Sequence, residues 1–178
     1  MGSPKFALDR ILGQFKKYSH GVAESMDMML YKEFIDIELT EFTKQLQMLP
    51  SHIIGKLLKN LKENGLNLNI GSIDSNSTIL HAACTLSMGH IIIKELLKLG
   101  ADVNIKNNEL ELPVHIAIKH DNSNCIAELV GHESSLIHVT DKNGFGLIHK
   151  AAHHLAVESI QMIVNLDPNC VDTFPKHK

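Results

Sequence analysis

The sequence predicts an all-α chain assembled from repeated helix pairs, and three observations carry that prediction. A histidine recurs as His81, His115 and His149, 34 residues apart each time. Each is followed by an apolar run at a similar distance: Ile91-Ile92-Ile93-Lys94-Glu95-Leu96-Leu97, then Cys125 to Val130, then Ile160 to Val164. The pentad Gly100-Ala101-Asp102-Val103-Asn104 also has a counterpart, Gly65-Leu66-Asn67-Leu68-Asn69, 35 residues earlier. Self-similarity at this period marks a solenoid, in which each repeat buries its hydrophobic face only by stacking on its neighbours.

Composition agrees with a folded chain. Of 178 residues, 44% are hydrophobic and 21% charged, far from the profile of disorder and enough for one domain or a short solenoid with an appended cap. The net charge is −3 and Arg10 is the lone arginine, so no nucleic-acid footprint is present. The lysine-for-arginine bias fits translation of an AT-rich genome. Three cysteines without metal-ligand spacing point to a reduced, cytoplasmic protein. Asp9, Arg10, Lys16 and Lys17 interrupt any export signal, and no apolar run is long enough to span a bilayer.

From the N-terminus, Phe6, Leu8, Ile11, Leu12 and Phe15 mark one amphipathic helix, and Met26, Met29, Leu30 and Phe34 another. Residues 1–37 are assigned to a helical extension that caps the solenoid. Residues 38–72 read as a degenerate repeat. Within it Glu38 to Met48 is a helix, and Ser51 to Asn64 is a second with Ile54, Leu57, Leu58 and Leu61 as its apolar stripe and Lys56, Lys59 and Lys62 on the wet side. Three full repeats follow, over 73–106, 107–140 and 141–173, with a tail over 174–178 and a native chain expected to run further.

In the full repeats, Thr78 and Pro113 are helix-start residues, one a hydroxyl cap and the other a first-turn proline with preset φ. Leu80, Ala83 and Cys84, like Val114, Ala117 and Ile118, then share one helical face. Gly100 supplies the left-handed residue that ends a second helix, and Asp141-Lys142-Asn143-Gly144 reads as a tight turn.

These motifs resemble the ankyrin family. Thr78-Ile79-Leu80-His81-Ala82-Ala83, Leu112-Pro113-Val114-His115-Ile116-Ala117 and Gly146-Leu147-Ile148-His149-Lys150-Ala151 match its T-P-L-H-x-A signature, and Gly100 to Asn104 matches its closing turn. The resemblance implies a solenoid of about three to four repeats. Departures occur in the later repeats. Leu112 stands in the Thr position, Glu133-Ser134-Ser135-Leu136-Ile137 replaces the closing turn, Gly146 and Leu147 replace Thr-Pro, and Asp167-Pro168-Asn169 stands at the last turn. Those repeats are expected to be less stable than the first. The Thr–His hydrogen bond implied by the motif is expected at Thr78 and His81 alone.

Candidate chemistry is sparse. His149 and His153 share a helix face at i, i+4, but the carboxylate partner of a zinc-protease motif is missing and His149 is the repeat histidine. Cys84 and Cys125 fall on buried helix faces, whereas Cys170, near the chain end, is expected to be exposed. Gly144-Phe145-Gly146 lacks a phosphate-loop pattern. No metal, cofactor or catalytic residue is assigned, and the chain is read as a non-enzyme.

The resemblance implies protein–protein recognition through the concave face and hairpin tips. Carried over by position, the partner-binding residues are Glu109, Leu110, Glu111, Lys142 and Phe145 at the tips, and Lys119, His120, Lys150, His153 and His154 on the first helices. Leu110 and Phe145 are large apolar side chains where polar ones are expected, as interface anchors are. The partner is a protein, with neither nucleic acid nor a membrane span. Location is the cytoplasm, or a host cytosol for a secreted bacterial effector. The alternatives are a substrate-recruiting part of a larger enzyme and a homodimer formed through the N-terminal helices.

Overall fold

A computed structural model describes residues 41–63, 67–72 and 74–170. The N-terminal extension over 1–37, with its capping and homodimer readings, and the tail over 174–178 lie outside the described residues. Within them the regular elements are helical. Residues 41–47 form α1. Then come α2 (Ser51–Glu63), α3 (Ile79–Cys84), α4 (Gly89–Lys98), α5 (Pro113–Lys119), α6 (Ser123–His132), a 3-10 helix (Ser134–His138), α7 (Leu147–His153) and α8 (Val157–Leu166).

The helices stack in two layers. The first helices of each pair, α3, α5 and α7, pack in sequence on one side, and α2, α4, α6 and α8 do so on the other. No single helix could hold its apolar face out of water alone, so the layers share one core. Its fully buried large side chains include Leu46, Leu58, Leu80, Ile92, Ile93, Leu96, Ile118, Ile126 and Leu129. Small residues set the spacing: Ala83, Ala117 and Ala151, one per first helix, are wholly buried and let neighbouring helices approach closely. In α2 the buried set is Ile54, Leu57, Leu58 and Leu61, the stripe read from its periodicity.

The three histidines share one register: His81, His115 and His149 are each the third residue of α3, α5 and α7. His81 and His115 are buried and His149 half-buried. Their chemistry explains the position. The backbone N–H of Thr78 donates to His81 Nδ1 at 3.0 Å, and that of Leu112 donates to His115 Nδ1 at 3.0 Å. A ring nitrogen thus satisfies a backbone donor that would otherwise be orphaned at the helix start. The Thr78 hydroxyl lies 2.9 Å from the same Nδ1 of His81. Because Nδ1 accepts, the proton sits on Nε2, which donates to the Glu111 carbonyl at 3.1 Å and ties α3 to the following hairpin.

The turns follow the sequence where its chemistry is strong. Gly100 has φ of +83° and Gly144 +84°, the left-handed conformation that glycine adopts without penalty. Where Glu133-Ser134-Ser135 replaces the glycine turn, the Glu133 carboxylate accepts from the Ser135 N–H and starts the 3-10 helix, which buries Leu136. Cys170 departs from expectation. It is only 4% exposed, because a 3.2 Å hydrogen bond from its N–H to the Asp167 carbonyl turns the chain back onto the core.

Candidate functional site

The surface that the sequence nominated is built from the hairpin tips and the outward faces of α5 and α7. Each tip is closed by one side chain. In the second hairpin Asn107 Oδ1 accepts from the N–H groups of Glu109 and Glu111, at 3.0 and 2.9 Å. In the third, Asp141 Oδ1 accepts from Asn143 and Phe145, at 2.8 and 3.0 Å. An isolated antiparallel bridge between Thr140 and Gly146 closes the base of that loop.

These closures present two apolar side chains to solvent. Leu110 is 54% exposed and Phe145 43%. Phe145 rests its ring against His149, with centroids 5.9 Å apart. Leu110 also holds a positive φ of +61°, in register with Asn76 at +52° and Gly144 at +84° in the neighbouring tips. Asparagine and glycine tolerate this conformation, whereas a leucine there costs about 1–2 kcal/mol.

The charged members divide into two groups. Glu109, Lys142, His120, His153 and His154 are exposed, and the rings of His153 and His154 meet edge to face at 5.1 Å. Glu111 corrects the reading of an all-solvated tip. It is only 7% exposed, and its two carboxylate oxygens accept from Lys150 Nζ at 2.6 Å and Lys119 Nζ at 2.7 Å. Because the hairpin turns Glu111 inward, Lys150 is drawn down with it and its side chain is 10% exposed. Lys119 also reaches Glu109, at 3.0 Å, which leaves it at the rim of the cluster.

Electrostatics of this cluster follow from burial against pairing. Burial raises the Glu111 carboxyl, but the hydrogen bonds from Lys119 and Lys150 outweigh it and hold the group at about 2. Burial depresses Lys119, and the two carboxylates more than offset it, so its ammonium is raised. Burial, aided by the Lys150 charge, pushes His115 down to about 4. His81 is lowered by burial, only partly opposed by its bond to the Glu111 carbonyl. His154 is lowered by burial and then by the Lys150 charge. The cluster is therefore internally neutralised, and Leu110, Phe145, Lys142 and the exposed His120, His153 and His154 stand outside it. Their residue types make hydrophobic and polar contacts.

The thiols stand apart from this surface. Cys84 and Cys125 are wholly buried, and burial pushes the Cys84 thiol well up. Among the described residues no three His, Cys, Asp or Glu side chains converge as a metal site would require. No described helix is long and apolar enough to cross a membrane.

Comparison with known proteins bears on this architecture. A family model for ankyrin repeats, in three copies, matches residues 80–172. The human ankyrin repeat and SOCS box protein 3 is 30% identical over 82 residues, 44% of this chain and 16% of its own length. The human SH3 and multiple ankyrin repeat domains protein 2 is 30% identical over 110 residues, 61% of this chain and 6% of its own. The chicken nuclear factor NF-kappa-B p105 subunit is 25% identical over 120 residues, 64% of this chain and 12% of its own. The chain thus spans only 6% to 16% of the length of these relatives.

Proposed function

The chain belongs to the ankyrin-repeat family, and we propose that it binds a partner protein through the second and third hairpin tips, with Leu110 and Phe145 as the apolar anchors. Ankyrin repeats generally serve as protein–protein interaction modules. The observation that carries the assignment to these tips is Leu110. It exposes 54% of a large apolar residue at a tip position that the neighbouring repeats fill with Asn76 and Gly144, both at ease in the left-handed backbone that a leucine adopts only at a cost. Leu155, in the turn after α7, bears the same two costs, so what singles out Leu110 is its place: a second large apolar side chain, Phe145, stands exposed on the next tip. Phe145, one repeat along, supplies a second anchor, and the exposed Lys142, His120, His153 and His154 form the polar rim.

On this reading the described surface works by binding: the described thiols lie in the core and the Glu111 carboxylate is paired with Lys119 and Lys150. The lysine bias bears on source and not on function, so a host-directed role is tested by drawing the partner from host rather than bacterial extract. Capture of a partner on the immobilised chain, identified by mass spectrometry, supplies the ligand for calorimetry. Phe145→Ala should weaken binding by about 1–3 kcal/mol, the usual range for an anchor. Unchanged affinity would remove the third tip from the interface.

A further inference from the structure

The joints between successive hairpins are not equivalent. Between the first and second, Asn108 donates from its backbone N–H to the Ser75 carbonyl and from its side chain to the Asp74 carbonyl, each at 2.8 Å. Asn76 returns the contact, donating from Nδ2 to the Lys106 carbonyl at 2.9 Å. His81 Nε2 adds the bond to the Glu111 carbonyl. Four hydrogen bonds thus latch the second hairpin to the repeat before it.

One repeat later the same four places carry none of these bonds among the described residues. The residue 34 positions after Asn108 is Lys142, whose ammonium makes no bond to the preceding tip. The residue after Asn76 is Leu110, which has no polar side-chain atom. The backbone bond that Asn108 makes is also missing at Lys142. His115, in the place of His81, keeps its Nδ1 bond but leaves Nε2 buried without a partner. What joins the two repeats lies deeper, in the helix layers, in the ion pair from Lys150 to Glu111 and in the bonds that the Glu158 and Ser159 N–H groups donate to the Asp121 carboxylate. Within itself, the third hairpin is well closed by Asp141.

We infer that the seam between the second and third hairpin tips is an open joint: the hairpin carrying Phe145 moves as a unit, while the two before it move together. Its consequence for recognition rests on the docking surface proposed above. A tip that shifts against a fixed Leu110 adjusts the spacing of the two anchors to the partner.

Amide hydrogen exchange on the free full chain tests the joint without any partner. Asn143, Gly144 and Phe145 should show at least about tenfold less protection than Glu109, Leu110 and Glu111, since tenfold is roughly what one to two net hydrogen bonds contribute and four are missing. The double variant Leu110→Asn, Lys142→Asn restores both carboxamides of the first joint and should raise protection at the third tip toward that of the second. Lys142→Asn alone, which leaves the Leu110 backbone untouched, should give part of that gain. Equal protection of both tips in the unaltered chain would overturn the inference, as would a folded double variant with no gain. If Phe145→Ala left partner affinity unchanged while the exchange difference held, the docking reading would fall and the joint would stand.

Discussion

Lys150 Nζ reaches back 39 residues to Glu111 Oε1, a 2.6 Å ion pair between side chains about 10% and 9% exposed, joining the third repeat to the second. With the tip hydrogen bonds of that joint missing, this pair ties the two repeats at the first-helix layer, as the Asp121 carboxylate does at the start of α8. Breaking a buried pair from one side is costly because the surviving charge stays desolvated. Glu111→Gln leaves Lys119 and Lys150 converging on a neutral amide, and should lower unfolding free energy by about 2–4 kcal/mol. Urea denaturation would measure it. A loss under about 0.5 kcal/mol would place the pair with ordinary surface ion pairs instead.

Acid sensitivity follows from the same groups. His115 sits at about 4 against an ordinary 6.5, and Glu111 at about 2 against 4.5. Both folded values are lowered, so the unfolded chain binds more protons in each window and stability rises with pH. Stability should therefore fall in two stages on acidification. The first runs from about 6.5 toward 4 as the unfolded chain protonates the buried histidines, His81 contributing in the same direction. The second runs from 4.5 toward 2 with Glu111. Unfolding free energies measured along a pH series should show both, and Glu111→Gln should shrink the second stage, leaving the share of Asp121 and Glu133, whose carboxyls are lowered as well.

The fold was legible in the sequence because its signals are local. A histidine at the third helical position, a small residue two places later and an apolar run for the second helix all act within one repeat, and α2 to α8 lie where those patterns put them. The site was half legible. Leu110 and Phe145 could be found because large apolar residues in a turn are conspicuous at any register. Glu111 could not be separated from Glu109, since the two differ only in which way the Asn107-closed loop turns them and in a lysine 39 residues away. The histidine cap at Leu112 was missed for a related reason. The motif suggested a hydroxyl bond, whereas the bond that survives without threonine comes from the backbone N–H, which every non-proline residue has.

Leu155 offers a test of backbone strain free of packing. It holds φ of +55° in the turn after α7, in register with Asp121 at +50° one repeat earlier, and it is 83% exposed. Asp121 has a role there, its carboxylate accepting from the Ser159 and Glu158 N–H groups at the start of α8, at 2.8 and 3.3 Å. Leu155→Gly removes the left-handed penalty of about 1–2 kcal/mol and adds the chain entropy of glycine, of about 0.5–1 kcal/mol, so the net is stabilisation by roughly 0.5–1 kcal/mol. A lower melting temperature for this variant would show that the side chain has a packing role in the folded chain.

Two helical glycines should respond in opposite directions to the same substitution, and the contrast separates helix propensity from packing. Gly131 lies in the last turn of α6 with open space where a Cβ would stand. Gly131→Ala gains the propensity difference alone, about 0.5–1 kcal/mol of stabilisation. Gly89 begins α4 and is buried where that helix crosses the end of α3. A Cβ there would overlap the Ala83 carbonyl oxygen and lie 3.3 Å from Cys125 Sγ. The carbonyl belongs to a packed helix and cannot swing aside as a flexible side chain would. Overpacking of this kind costs about 1–3 kcal/mol and more when backbone must move, which exceeds any propensity gain at a first helical position. Gly89→Ala should therefore destabilise by about 2–3 kcal/mol. Chemical denaturation of the two variants side by side decides the matter. Stabilisation by both would mean that the α3–α4 crossing yields readily, and that the close approach at Gly89 is not what fixes the angle between the first repeat's two helices.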